Sequence, residues 1–193
     1  MKKENRTPEE IKVDILKEEL KLDNWIWANG KLARVNSNVI ANEGADPTVG
    51  VKYLEISHDM DYVKLKDCDP IIVSQKMIER IGFKPLKDIP ELVEKLNETP
   101  RGREVLHQMQ ISIRENYGET IYLMPNKKLR FDFIMKSNGI FDLVIPNDKS
   151  YFGEEHHRVT LHLLQNYFKN ILKEELNISQ DICPSYEPYL DLK

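Results

Sequence analysis

The stretch at residues 154–176, EEHHRVTLHLLQNYFKNILKEEL, places the strongest condition on the fold. Val159, Leu163, Leu164, Tyr167, Phe168, Ile171, Leu172 and Leu176 recur at steps of three and four, the period of one helix face. Glu154 and Glu155 suit the positive end of a helix dipole, Lys169 and Lys173 suit its negative end, and Gly153 and Asn177 supply stops. The spacing predicts a single helix over 154–176, roughly 34 Å long at 1.5 Å per residue. So wide an apolar stripe has to be buried. Core packing is the first reading of it and a partner-binding groove the second.

The preceding chain supplies short elements to pack against this helix. Thr7-Pro8-Glu9-Glu10 combines a capping residue, a proline at the first helical position and the glutamate of a capping box. A helix is therefore expected to about Leu20, with Ile11, Ile15 and Leu16 inward and a solvated charged face. NWIWAN and KLARVN flank Asn29-Gly30, a pair suited to the positive φ angles of a tight hairpin turn. Strands are also expected over 49–57 and 62–65, giving a small curled antiparallel or SH3-like lobe. Ser74 and Gly82 bracket a short helix, with Phe83 folding back on Ile78. Two helices follow, the second opening at Thr99-Pro100 and carrying Leu106, Met109, Ile113 and Tyr117 on one face. From Glu119 the period returns to two, and ETIYLM, LRFDFIM and IFDLVI read as a three-stranded meander. Its face of Leu129, Phe131, Phe133 and Met135 needs a cover, assigned here to the 154–176 helix. NISQDICPSYEPYLDLK, with two prolines and no helical period, reads as an extended tail.

The expected fold class is thus α+β, with a small SH3-like curled β lobe, a helical insertion, and a three-stranded meander packed on a long C-terminal helix. The segments are 1–83, 84–118, 119–176 and 177–193. A net charge of −4 argues against a general phosphate-binding face. Cys68 and Cys183 lie far apart, as in a reducing compartment. The charged opening MKKENRTPEE has no apolar core of a signal peptide, and no run approaches 18 apolar residues, so a cytoplasmic protein without a membrane span is expected.

The chemistry-bearing residues form no recognisable catalytic set. His157 and His162 are five apart, roughly 140° round a helix axis, whereas helical zinc pairs want ligands four apart. His58-Asp59-Met60-Asp61 reads as an acidic loop. There is no G-x-S-x-G, P-loop or G-x-G-x-x-G. No catalytic residue, metal or cofactor is expected, and a non-enzymatic role is favoured over an enzymatic one. Trp25 and Trp27, two apart on one strand, have two readings. With Lys21, Lys31 and Arg34 they form a stacking platform for nucleic acid, or they pack beneath a helix. Tyr186, Tyr189, Leu190 and Leu192 form a docking strip for a groove on a partner, a second copy or this chain's own lobe.

Three segments carry a resemblance: LKLDNWIWANGKLARV, DPIIVSQKMIERIGF and RVTLHLLQNYFKNILKEELNI. Their order resembles small uncharacterised proteins of Bacteroidetes phages and integrated mobile elements. Asp23 stands where that group's pattern has glycine, Asn170-Ile171-Leu172-Lys173 replaces its usual break, and residues 85–117 look inserted. The resemblance implies a phage or mobile-element product built of barrel, short helix, meander and long helix, and it implies no activity. The expected role is therefore binding of an unidentified host or phage protein, as a defence inhibitor or regulator. A nucleic-acid accessory module using Trp25 and Trp27 and a virion component are the alternatives. Oligomeric state is not legible in the sequence.

Overall fold

The computed structural model describes residues 6–54, 60–115, 119–124, 133–137, 140–144, 159–176, 178 and 183–186. Within them Thr7 opens helix α1 (Pro8–Glu19) through the expected capping box. The Glu10 N–H donates to Thr7 Oγ1 at 3.2 Å, and the Thr7 N–H donates to Glu10 Oε2 at 2.7 Å. The inward face of α1 differs from the expectation. Leu16 is fully buried, but Ile11 is exposed and Lys12 is buried in its place. The reason is polar: the Lys12 ammonium reaches the Lys66 carbonyl at 2.8 Å and Asp69 Oδ1 at 3.0 Å.

β1 (Trp25–Ala28) and β2 (Lys31–Val35) form the predicted hairpin, with φ of 50° at Asn29 and 70° at Gly30. β3 (Thr48–Tyr53) and β4 (Asp61–Lys64) continue the sheet; residues 55–59, with His58 and Asp59, lie outside the described residues. β5 (Cys68–Asp69) is a two-residue strand that escapes any periodicity argument. It closes the order β4-β3-β2-β1-β5, antiparallel at every pairing, in a curled half-barrel. Leu16, Leu20, Ile26, Ala28, Ala33, Val35, Val49 and Val51 fill the concave core. Cys68 belongs to the same cluster. Burial pushes its thiol up to about 12 from 9.0, the nearby Lys12 ammonium opposing only part of the rise.

The protein is α+β, and its chain forms two compact units: residues 1–72 with 160–193, and residues 73–159. This division cuts across the sequence segments, because α2 (Gln75–Ile81) falls in the second unit and the closing helix in the first. Ser74 caps α2 and Gly82 ends it at φ 112°, where the Phe83 N–H returns to the Ile78 carbonyl at 3.1 Å, as predicted. β6 (Lys84–Pro85), β7 (Thr120–Leu123), β8 (Phe133–Ser137) and β9 (Ile140–Val144) make a four-stranded antiparallel sheet in chain order. The expected meander thus gains an edge strand. Helices α3 (Pro90–Glu98) and α4 (Pro100–Glu115) set Val105 and Met109 against Ile121, Leu123 and Met135. The helical segment read as an insertion therefore packs on Met135, the described member of the face for which a cover was expected. Leu129, Phe131, Tyr117 and the Phe133 side chain lie outside the description.

The last helix is shorter than predicted. α5 runs over Leu161–Tyr167 and continues as a π-helical turn, Phe168–Leu172, ended by Lys173 at φ 57°. Residues 154–158 are not described, but 159–161 already have other hydrogen-bond partners. Val159 N–H donates to the Phe141 carbonyl, Leu161 N–H to the Ile71 carbonyl, and Thr160 bridges Ile72. Backbone committed to strand-like pairing cannot also make helical bonds, so the helix starts after Thr160. No disulfide joins Cys68 and Cys183; Cys68 is buried and Cys183 half-buried. At pH 8 a disulfide-exchange reagent should label Cys183 before Cys68, which stays a thiol until the chain is denatured.

Candidate functional site

The first sheet carries two constructed features outside its core. At one, the tail docks on the hairpin. Trp27 is buried beneath Tyr186, ring centroids 5.6 Å apart and planes at 69°, an edge-on pairing. The Tyr186 hydroxyl donates to Asp69 Oδ2 at 2.8 Å, while the other oxygen of Asp69 accepts from Lys12. β5 holds this carboxylate in place, since Asp69 pairs with Trp27 in register. Gly30 lies against the Tyr186 ring, where a Cβ would stand in ordinary contact at 3.5 Å.

At the other, Leu22–Trp25, Arg34 and the end of α5 enclose a cleft of about 190 Å³. Its floor is a buried polar network. Asn24 accepts from the Lys21 N–H at 2.8 Å and donates to Asn166 Oδ1 at 3.1 Å, and Asn166 donates to the Glu19 carbonyl at 2.7 Å. Gln165 accepts from the Trp25 N–H at 2.8 Å and donates to the Asp23 carbonyl at 3.3 Å. These bonds hold Asp23 at φ 73°, a left-handed position that aspartate tolerates and where the resembled pattern has glycine. Asp23 pairs with Arg34 at 3.2 Å and lies 3.9 Å from Lys169, which the π-helical turn brings round. The reversal at Lys173 sets Glu175, Leu176 and Ile178 along the opposite wall. Asn24→Ala should leave the Asn166 amide with one fewer buried partner and cost about 1–3 kcal/mol, read as a lower urea midpoint with unchanged slope.

The residues named from sequence therefore divide between the two places. Trp27 and Tyr186 meet, Trp25 and Arg34 line the cleft as cross-strand partners, and Tyr189 and Leu190 lie outside the described residues. Trp25 is half-buried and Trp27 is covered, so a platform of two open indoles is not formed while Tyr186 is seated. Lys12 and Asp69 were missed. The one available signal was Lys12, Leu16 and Leu20 at i+4 spacing, which puts the lysine on the buried face. His162, which is not one of the apolar-stripe residues, is buried with Nε2 3.0 Å from Glu19 Oε2 and 3.3 Å from Thr160 Oγ1. Its Nδ1 makes no hydrogen bond among the described residues. His156 and His157 are outside the description, and no group of three or more His, Cys, Asp or Glu among the described residues could hold a metal ion. No helix among the described residues is long and apolar enough to cross a membrane. Compared with protein families, curated proteins and solved structures, the chain matches none.

Proposed function

We propose that the chain is a non-catalytic protein-binding module whose curled sheet accepts an extended, tyrosine-bearing segment at Trp27, Gly30 and Asp69. Its own tail fills that seat until a partner's segment replaces it. The observation that carries the reading is the Tyr186 side chain itself. Its ring lies edge-on to Trp27 and its hydroxyl donates to Asp69. It projects from Cys183-Pro184-Ser185-Tyr186, a proline-containing stretch with no regular secondary structure. Aromatic anchors held by a specific polar contact are what peptide grooves use. The three phage-like sequence segments support a host or phage protein, met in the bacterial cytoplasm, as the partner. A defence inhibitor or regulator fits that setting.

The test uses a labelled peptide with the sequence of residues 183–193. Releasing the tail by Tyr186→Ala should raise the peptide's affinity for the full chain at least about tenfold over the unsubstituted chain, whose tethered tail competes at millimolar effective concentration. Tryptophan emission should also shift to the red as Trp27 is uncovered. If the tail-released chain does not take up the peptide, the sheet is not a peptide-binding surface.

A further inference from the structure

The cleft at Trp25 stands apart from the tyrosine seat and has its own chemistry. At about 190 Å³ it lies below the roughly 300 Å³ at which pockets for drug-sized ligands begin, so it suits a molecule smaller than a nucleotide. Its charged side chains are balanced in sign: Arg34 and Lys169 against Asp23 and Glu175. A simple anion entering it faces two carboxylates, and a simple cation faces two cations. A small molecule that carries both charges satisfies all four.

The supply of unused polar groups fits such a ligand. Arg34 commits one terminal nitrogen to Asp23 and keeps the rest of its fork, the geometry that grips a carboxylate. Glu175 has no ion pair among the described residues, and the Trp25 indole N–H has no acceptor among them. Leu22 on one side and Leu176 and Ile178 on the other add a small apolar share to a mostly polar lining. Beneath lie the buried Asn24 and Asn166 amides, joined at 3.1 Å, and the half-buried Gln165 amide, whose bonds to the Trp25 N–H and the Asp23 carbonyl fix the position of both residues. The π-helical turn that delivers Lys169 is itself a feature concentrated at functional sites.

We infer that the cleft binds a free α-amino acid. Its carboxylate goes to Arg34, its ammonium to Glu175, and its side chain lies beside the Trp25 indole. The end of a protein chain is a poorer occupant, because it offers only one of the two charges.

The chain has two tryptophans, so its two indole N–H signals in a ¹H–¹⁵N spectrum separate this cleft from the tyrosine seat. Titration of the full chain with L-leucine should move the Trp25 signal saturably and leave that of Trp27 in place. 3-Methylbutylamine and 4-methylpentanoate, each lacking one charge, should bind at least about tenfold more weakly, as should the amino acid to Arg34→Ala and Glu175→Gln. Both substituted side chains line an open cleft, so the remaining spectrum should be unchanged. The inference fails if neither L-leucine nor L-phenylalanine moves the Trp25 signal up to about 10 mM. It fails equally if the single-charge analogues or the two variants bind as well, since the cleft would then not recognise both charges.

Discussion

Replacing Lys12 with methionine is expected to lower the stability of the first unit by about 3–5 kcal/mol. The Lys12 and Asp69 side chains are 5% and 11% exposed and 3.0 Å apart. Methionine fits the aliphatic path of the lysine, so what is lost is the charge opposite a buried carboxylate. Asp69 would keep the Tyr186 hydroxyl as a partner but would no longer be neutralised. Set against a total stability of roughly 5–15 kcal/mol, this loss leaves the curled lobe marginal. Denaturant unfolding followed by tryptophan emission reads it directly, since Trp25 and Trp27 both lie in this unit. In a double-mutant cycle, Asp69→Asn should cost far less in the Lys12→Met background than alone. Additive losses would mean that the pair is not coupled.

The second large effect is expected at Gly102, in the first turn of α4. Thr99 is the single residue between α3 and α4, and its Oγ1 accepts from the Gly102 N–H at 3.0 Å. The tight connection brings the Leu96 carbonyl so close that a Cβ at Gly102 would overlap it. Backbone cannot swing aside as a side chain can. Helix propensity alone favours alanine by about 1 kcal/mol, but the overlap should outweigh it and leave a net loss of about 1–3 kcal/mol. At about 4–8 °C per kcal/mol for a domain of this size, the midpoint should fall by several degrees or more. Hydrogen exchange should quicken in β7 and β8, whose Ile121 and Met135 pack with Val105 and Met109 of α4. A raised midpoint would show that the two helices can part without cost.

A smaller effect follows from Cys68. Its thiol titrates near 9.0 when exposed and is pushed up to about 12 in the folded chain. Between those values the unfolded chain holds fewer protons, so stability falls as pH rises, by roughly 1.4 kcal/mol per unit. Other groups titrate in the same range, so the measurement is the difference between the parent chain and Cys68→Ala. That difference should be flat below about pH 8.5 and slope above it.

Several parts of this structure were legible because they depend on neighbours in the chain. The Thr7 capping box, the Asn29-Gly30 turn, and the Ser74 and Gly82 brackets of α2 each join residues only a few positions apart. Trp25 and Trp27 were placed on one strand face by spacing alone, and Tyr186 was singled out from its tail. Their separation into a cleft and a seat was not legible. It depends on β5, two residues long, and on Gln165 and Asn166 more than a hundred residues from the turn they hold.

The last helix marks the boundary most clearly. Its periodicity determined that residues 161–168 coil and bury one side, and they do. Periodicity could not determine where the coil begins, because Thr160 and its neighbours spend their backbone groups on Ile71, Ile72 and Phe141. Nor could it anticipate that His162 and Asn166 are buried as well, since their partners are Glu19 and Asn24. Sequence by itself determined the local elements, whose hydrogen bonds and apolar spacing close within a few residues. Only the tertiary structure decided which elements cover which, and where buried polar groups are tolerated, because those depend on partners brought together by folding.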